Sequence, residues 1–356
     1  MGARLPSDLL LRPAEESSRL LALGYLDEIS RAERRLGDPQ DEEALHDFRV
    51  GLRRLRSCSR AYRLQLKGSV TKRLRRRLRK LTRTTNAGRD AEVQLTWLRQ
   101  QAERLGAEDL PGLSWLIGRL EGRRYDMVST VTSDVKRQFL KSAAKLRPRL
   151  ATFRMEVRTG PGREHHSFGR VTGELIRAQV AELANDLKGL RGAEDVKGAH
   201  AIRISAKRLR YLLEPLARRA PGAKSLVTLL KEIQDSLGDL HDRQVLGGEI
   251  ASTRSALSAI DSQRLAGCEP GLSRLERLAS EQADAALAHF YTLLGGEHSA
   301  RLLLRAERLA TTVAQGITAL PADPVLTLGE VRPAESTIQL PRELEARRRG
   351  KASRGR

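Results

Sequence analysis

The segment His46-Asp-Phe-Arg49-Val-Gly-Leu-Arg53-Arg54-Leu55-Arg56 returns in the second half of the chain as His200-Ala-Ile-Arg203-Ile-Ser-Ala-Lys207-Arg208-Leu209-Arg210. Every charged position of the first copy except Asp47 has a counterpart in the second. In both copies the apolar residues fall three and four apart, the spacing of one face of an α-helix, so the fold has to accommodate one amphipathic helix twice. The echo continues downstream. Lys72 and Arg79 match Lys224 and Lys231, Arg89-Asp90 matches His241-Asp242, and Pro111-Gly-Leu-Ser-Trp-Leu116 matches Pro270-Gly-Leu-Ser-Arg-Leu275. The chain therefore reads as two copies of a helical unit of about 150 residues, an ordinary domain size.

Alternating runs of Val, Ile and aromatics are nearly absent, whereas Leu, Ala, Arg and Glu recur at helical spacing almost throughout. The expected fold class is all-α: two helical bundles of about four helices each, built from the internal repeat and related by a pseudo-twofold axis. Helices are expected near 15–36, 42–66, 69–105, 112–146, 166–190, 196–219, 223–260 and 271–315, the last broken at Gly295-Gly296. The domain boundaries follow: a tail over 1–13, a first bundle over 14–157, a linker over 158–165 containing RTGPGR, a second bundle over 166–318, and a disordered basic tail over 319–356. Seven of the last 15 residues are Lys or Arg, without apolar periodicity.

Lys and Arg number 65 against 44 Asp and Glu, a formal net charge of +21. Such an imbalance points to a polyanionic partner. The excess is organised. His46, Arg49, Arg53, Arg56, Arg60 and Arg63 lie 3, 4, 3, 4 and 3 apart, on one arc of a helix beside an apolar arc of Leu45, Phe48, Leu52, Leu55, Tyr62 and Leu66. In the second copy His200, Arg203, Lys207 and Arg210 form the basic arc, next to Ala199, Ile202, Ala206, Leu209, Leu213 and Leu216. A solvated helix face mixes acids with bases, whereas no carboxylate interrupts the arc from His46 to Arg63. Like charges at this spacing repel, so the arrangement costs stability unless an anion neutralises it. Arg54 and Arg208 point away from the arcs, toward solvent or a surface carboxylate. The next helix adds Lys72, Arg73, Arg76, Arg79, Lys80 and Arg83, and its counterpart keeps mainly Lys224 and Lys231. The two histidines head their arcs, where helix N-termini also favour anions. An imidazole there can donate to a phosphate oxygen.

The double H-x-x-R-x-x-x-[RK]-R-L-R signature, each copy followed by a basic helix and then GRD or LHD, resembles the CHAD family, the conserved histidine α-helical domain, over about residues 14–315. The resemblance implies two four-helix bundles in pseudo-twofold arrangement and a basic central surface that binds inorganic polyphosphate and directs the protein to polyphosphate granules. The contacts it implies are His46, Arg49, Arg53, Arg56, Lys72 and Arg79 in one half, and His200, Arg203, Lys207, Arg210, Lys224 and Lys231 in the other. Arg60, Arg76 and Arg83 extend the first set along the same helices. The chain lacks the E-x-E-x-K strand of the triphosphate-tunnel enzymes fused to some such domains, so it reads as a stand-alone module. Polyphosphate has no bases to read or stack, and forked guanidinium donors with 3% aromatics suit it.

The expectation is thus a non-catalytic, soluble, cytoplasmic and granule-associated polyphosphate binder with no cofactor and no membrane span; no oligomeric state is read from the sequence. Two other readings are carried. One is a general nucleic-acid or polyanion binder, with nonspecific nucleic acid held by the basic tail. Against it, Trp97 and Trp115 sit in apolar stripes instead of forming stacking platforms. The other is a metal-dependent phosphohydrolase built on His46-Asp47 and His241-Asp242, though these dyads do not correspond across the repeat. Asp90 and Asp242 are expected to hold a neighbouring arginine or cap a helix. Cys58 and Cys268 match no metal or disulfide spacing and are expected to be inert thiols.

Overall fold

The computed structural model describes residues 5–316 apart from 37, 39, 40, 42, 87, 88, 153–165, 192–194 and 296. The 158–165 linker and the 319–356 tail lie outside the described residues. The fold is all-α. The helices are α1 (Ala14–Arg35), α2 (Glu43–Ala61), α3 (Lys72–Asn86), α4 (Arg89–Gln101), α5 (Leu110–Ala151), α6 (Phe168–Gly189), α7 (Val196–Leu213), α8 (Ala223–Ile260), α9 (Ser262–Leu294) and α10 (Glu297–Ala314), with 3-10 turns at Ala102–Arg104 and Glu214–Leu216.

Two expectations need correcting. The helix expected over 69–105 is two helices, α3 and α4, and the last expected helix begins nine residues early, at Ser262, carrying Pro270 inside it. The compact units also differ from the repeats. One comprises 1–79, 140–234 and 290–356; the other comprises 80–139 and 235–289. Each draws on both halves of the chain, so the bundles expected at 14–157 and 166–318 are not the compact units, and α3, α5, α8 and α9 each contribute to both.

In the first unit α1 packs on α2 and α6, α6 on α7 and α10, and α2 on α7. The expected apolar stripes supply the contacts: Phe48, Leu52, Leu55 and Leu66, and Ile202, Ala206, Leu209, Leu213 and Leu216, are fully buried. Leu45 is only half-buried. Burying each of these Phe, Leu and Ile side chains contributes about 1.5–3 kcal/mol. The starts of α1 and α6 are tied together by Ala14 N–H donating to His166 O at 3.1 Å and Phe168 N–H to Arg12 O at 2.8 Å. Ser167 caps α6 by accepting from Arg170 N–H at 3.2 Å, and Asp195 caps α7 by accepting from Gly198 N–H at 2.9 Å.

The second unit is a core of Leu95, Trp97 and Leu98 from α4, Leu113, Leu116 and Leu120 from α5, Leu246, Ile250 and Leu257 from α8, and Leu272, Leu275 and Leu278 from α9. Here the two Pro-Gly-Leu-Ser segments meet. A Cβ on Gly112 would overlap the carbonyl oxygen of Cys268, and one on Gly271 would overlap that of Asp109. Two helices approach this closely only because both residues lack a side chain.

Cys58 and Cys268 are both free and buried. Burial pushes the Cys58 thiol up to about 12. Since the thiolate is the reactive form, native Cys58 is expected to resist alkylation by iodoacetamide at pH 8 and to react within minutes once the protein is unfolded. Labelling of Cys58 at equal rates in the two states, read by peptide mass, would contradict this burial.

Candidate functional site

α2 ends at Ala61, and a run of turns through Tyr62–Val70 reverses the chain before α3 starts at Lys72. Thr71 caps α3, its Oγ1 accepting from Leu74 N–H at 3.3 Å. The reversal brings the last turns of α2 beside the first turns of α3. Leu74 and Leu78 anchor α3 by burial, which leaves its basic residues at the surface.

Between these segments and α1, α6 and α7 lies a cleft of about 840 Å³. Eight cations line it: Arg56, Arg60 and Arg63 from the end of α2 and the turn after it, Lys72, Arg75, Arg76 and Arg79 from α3, and Arg208 from α7. None of its lining residues is acidic. Tyr25, Tyr62, Leu21 and Leu212 form its buried floor, with Tyr211 and Gln179 at its wall. Arg60, Arg63, Lys72, Arg76 and Arg79 are exposed, while Arg56, Arg75 and Arg208 are half-buried. Burial first, then the neighbouring charges of Arg208 and Arg79, lower the pKa of Arg60, with Glu182 partly offsetting them. Arg208 and Arg79 thus act on Arg60 as like charges across the cleft. Arg75 Nη1 donates to Val70 O at 2.7 Å, and Arg208 is ion-paired with Glu182.

Of the residues singled out from sequence, Arg56, Arg60, Arg63, Lys72, Arg76 and Arg79 come together in this cleft. Arg75 was missed and Arg208 had been directed away from the site; Arg208 does meet a carboxylate, but it lines the cleft as well. Arg54 behaves as expected. Its Nε donates to Glu214 Oε2 at 2.9 Å, with Glu28 at 3.5 Å. Although burial opposes its charge, Glu214 and Glu28 leave its pKa raised. Arg210 reaches the same Glu214 at 3.3 Å and lies 4.9 Å over the Tyr211 ring. Glu214 therefore joins the two signature helices, with one arginine from each.

The remaining candidates lie outside the cleft. His46 and His200 are exposed, His46 on the first turn of α2 and His200 on α7. Arg53, Arg203 and Lys207 are half-buried, and Lys224 and Lys231 are exposed on α8. Arg83 is exposed on the last turn of α3, in the segment that belongs to the second unit. Arg49 needs a correction: it stands beside the apolar stripe in sequence, yet it is only 7% exposed. Packing of α1 and α7 on either side of α2 widens the buried arc beyond the stripe that α2 alone displays. Arg49→Glu is accordingly expected to destabilise the fold by about 3–5 kcal/mol, the cost of leaving a buried ionic group without compensation. Its urea midpoint would fall steeply, in contrast to that of a reversal at exposed Arg63.

The Asp47 carboxylate accepts from Arg35 Nη1 at 2.6 Å, while Asp41 accepts from Arg35 Nε at 2.6 Å. Asp242 and Asp239 favour the charged form of neighbouring Arg243, and Asp90 lies in the first turn of α4. Among the described residues no group of three His, Cys, Asp or Glu is placed to hold a metal ion. No helix of the described residues is long and apolar enough to cross a membrane.

A family model described as the CHAD domain matches residues 21–251. The chain belongs to the CHAD domain family. The CHAD match spans both signature helices and every residue lining the basic cleft. The crystal structure of the CHAD domain from the plant Ricinus communis is similar over 90% of this chain and 97% of its own, with 20% identity and a TM-score of 0.56. PptA from Streptomyces chartreusis is similar over 79% of this chain and 99% of its own, with 15% identity and a TM-score of 0.59. At these identities both structures support the CHAD fold. No curated protein matched the sequence.

Proposed function

We propose that this protein binds inorganic polyphosphate without transforming it, and that the basic cleft is where binding is strongest. The observation that carries the reading is a cleft of about 840 Å³ lined by eight cations and no acid. Seven of those cations are arginines, whose planar forks pair with phosphate oxygens through two donors at once. Membership of the CHAD family supports the same ligand. His46 and Arg53, together with His200, Arg203, Lys207, Arg210, Lys224 and Lys231, continue the basic character of the first unit away from the cleft. A long polymer can follow them. On this reading we infer a cytoplasmic protein associated with polyphosphate granules.

Nucleic acid is the reading to set against it. The two tryptophans are poor stacking platforms, since the Trp97 ring lies under Arg243 at 4.5 Å and the Trp115 ring under Arg264 at 5.4 Å. A competition titration separates the two. Labelled long-chain polyphosphate is displaced by single- and double-stranded DNA of equal total charge at several salt concentrations, using the full chain and the chain lacking residues 321–356. Polyphosphate is expected to win by at least tenfold at 0.15 M salt with or without the tail. Equal competition that fades with salt would mean a general polyanion surface.

A further inference from the structure

In the second unit a separate hollow of about 560 Å³ lies among α4, α8 and α9. Its polar centre is Arg243, one turn along α8 from Asp239. Arg243 is 8% exposed, and its guanidinium lies 4.5 Å over the Trp97 ring. Trp97 is pinned in turn, Nε1 donating to Gln282 Oε1 at 2.6 Å. The stacking gives Arg243 no hydrogen-bond acceptor, and its buried Nη1 has no partner. A buried guanidinium nitrogen left without an acceptor is costly, and stacking on Trp97 fixes the group at the edge of the hollow. Burial works against the charge of Arg243, while Asp242 and Asp239 support it.

The surroundings restrict what can satisfy this group. Glu92 and Asp239 are both in the lining beside Arg243. A phosphate dianion would meet two carboxylates there. A ligand carrying one carboxylate and one ammonium meets complementary groups at both ends. Val93, Ala285 and Ala286 supply an apolar wall, and the two alanines leave room beside it. From this geometry we infer that the hollow binds a free α-amino acid with an aliphatic side chain, its carboxylate on Arg243, its ammonium on Asp239 and its side chain against Val93, Ala285 and Ala286. The inference is independent of polyphosphate binding at the basic cleft.

Trp97 and Trp115 are the protein's two tryptophans, so in the full-length Trp115→Phe chain the indole emission reports on Trp97 alone. Titration with L-leucine is expected to give a saturable emission change. 4-Methylpentanoate, which lacks the ammonium, and isoamylamine, which lacks the carboxylate, should bind at least tenfold more weakly. Arg243→Gln should abolish the response. Because that variant removes a buried side chain, the exposed Asp239→Asn variant is the second test: it should retain the native circular dichroism and lose about tenfold in leucine affinity. No saturable response to leucine up to 10 mM, 4-methylpentanoate binding as well as leucine, or an unchanged affinity in Asp239→Asn would each overturn the assignment. A stronger response to polyphosphate than to leucine would overturn it too, by making the hollow part of the anion surface.

Discussion

Reversing two charges on α3, Arg76→Glu with Arg79→Glu, is expected to lower polyphosphate affinity by about a hundredfold while leaving the fold intact. Both side chains are exposed and both line the basic cleft. A hydrogen bond to a charged group contributes about 1.5–3 kcal/mol, so losing two costs about 3 kcal/mol or more, and 1.4 kcal/mol is a factor of ten. The new carboxylates also repel the ligand. Leu74, Leu78 and Leu81, which dock α3, are untouched, so the thermal midpoint should stay within a few degrees of the parent. The informative comparison is the same double reversal at Lys224 and Lys231, which lie outside the cleft; there the loss should be below about tenfold. If the two pairs weaken binding equally, affinity belongs to the whole basic surface and the cleft has no special standing.

A marked effect on stability is also expected where α5 and α9 approach. Gly271→Ala puts a methyl group onto the carbonyl oxygen of Asp109, and Gly112→Ala puts one onto that of Cys268. Neither obstacle is a flexible side chain that can swing away; backbone has to move, and overpacking of this kind costs about 1–3 kcal/mol or more per site. Gly118→Ala, on the same α5, meets nothing within 4 Å and removes a helix-interior glycine, so it should be neutral or stabilising by up to about 1 kcal/mol. Urea titrations of the three variants read the contrast directly. Equal midpoints for Gly118→Ala and Gly271→Ala would show that the helices are not in contact at this point.

Much of the fold was legible because helix formation leaves a local signature. Helix α8 occupies the stretch 223–260 read from apolar spacing, and Gly295 marks the break between α9 and α10. What sequence misjudged was mostly tertiary. The last helix was expected to start at 271, yet α9 starts at Ser262 and runs through Pro270. Arg49 fell on a basic arc drawn for a helix with one buried face, whereas α2 is covered by both α1 and α7. Arg208 sat off the arc of its own helix but reaches a cleft whose other wall is α3, and no wheel drawn for a single helix contains that wall. The echo of Pro-Gly-Leu-Ser was visible as a repeat. That its two copies press against each other was not, because only three-dimensional proximity explains why both need glycine.

The walls of the basic cleft come from both sides of residues 153–165: Arg56 to Arg79 precede that stretch, while Gln179, Arg208 and Tyr211 follow it. A chain divided there would carry half a binding site on each piece, and binding would then depend on how often the pieces met. Covalent continuity replaces that encounter with an effective concentration on the order of millimolar. A cell making only a few copies of the whole chain therefore has the same fraction of assembled sites as one making thousands, so ligand capture scales linearly with expression and not with its square.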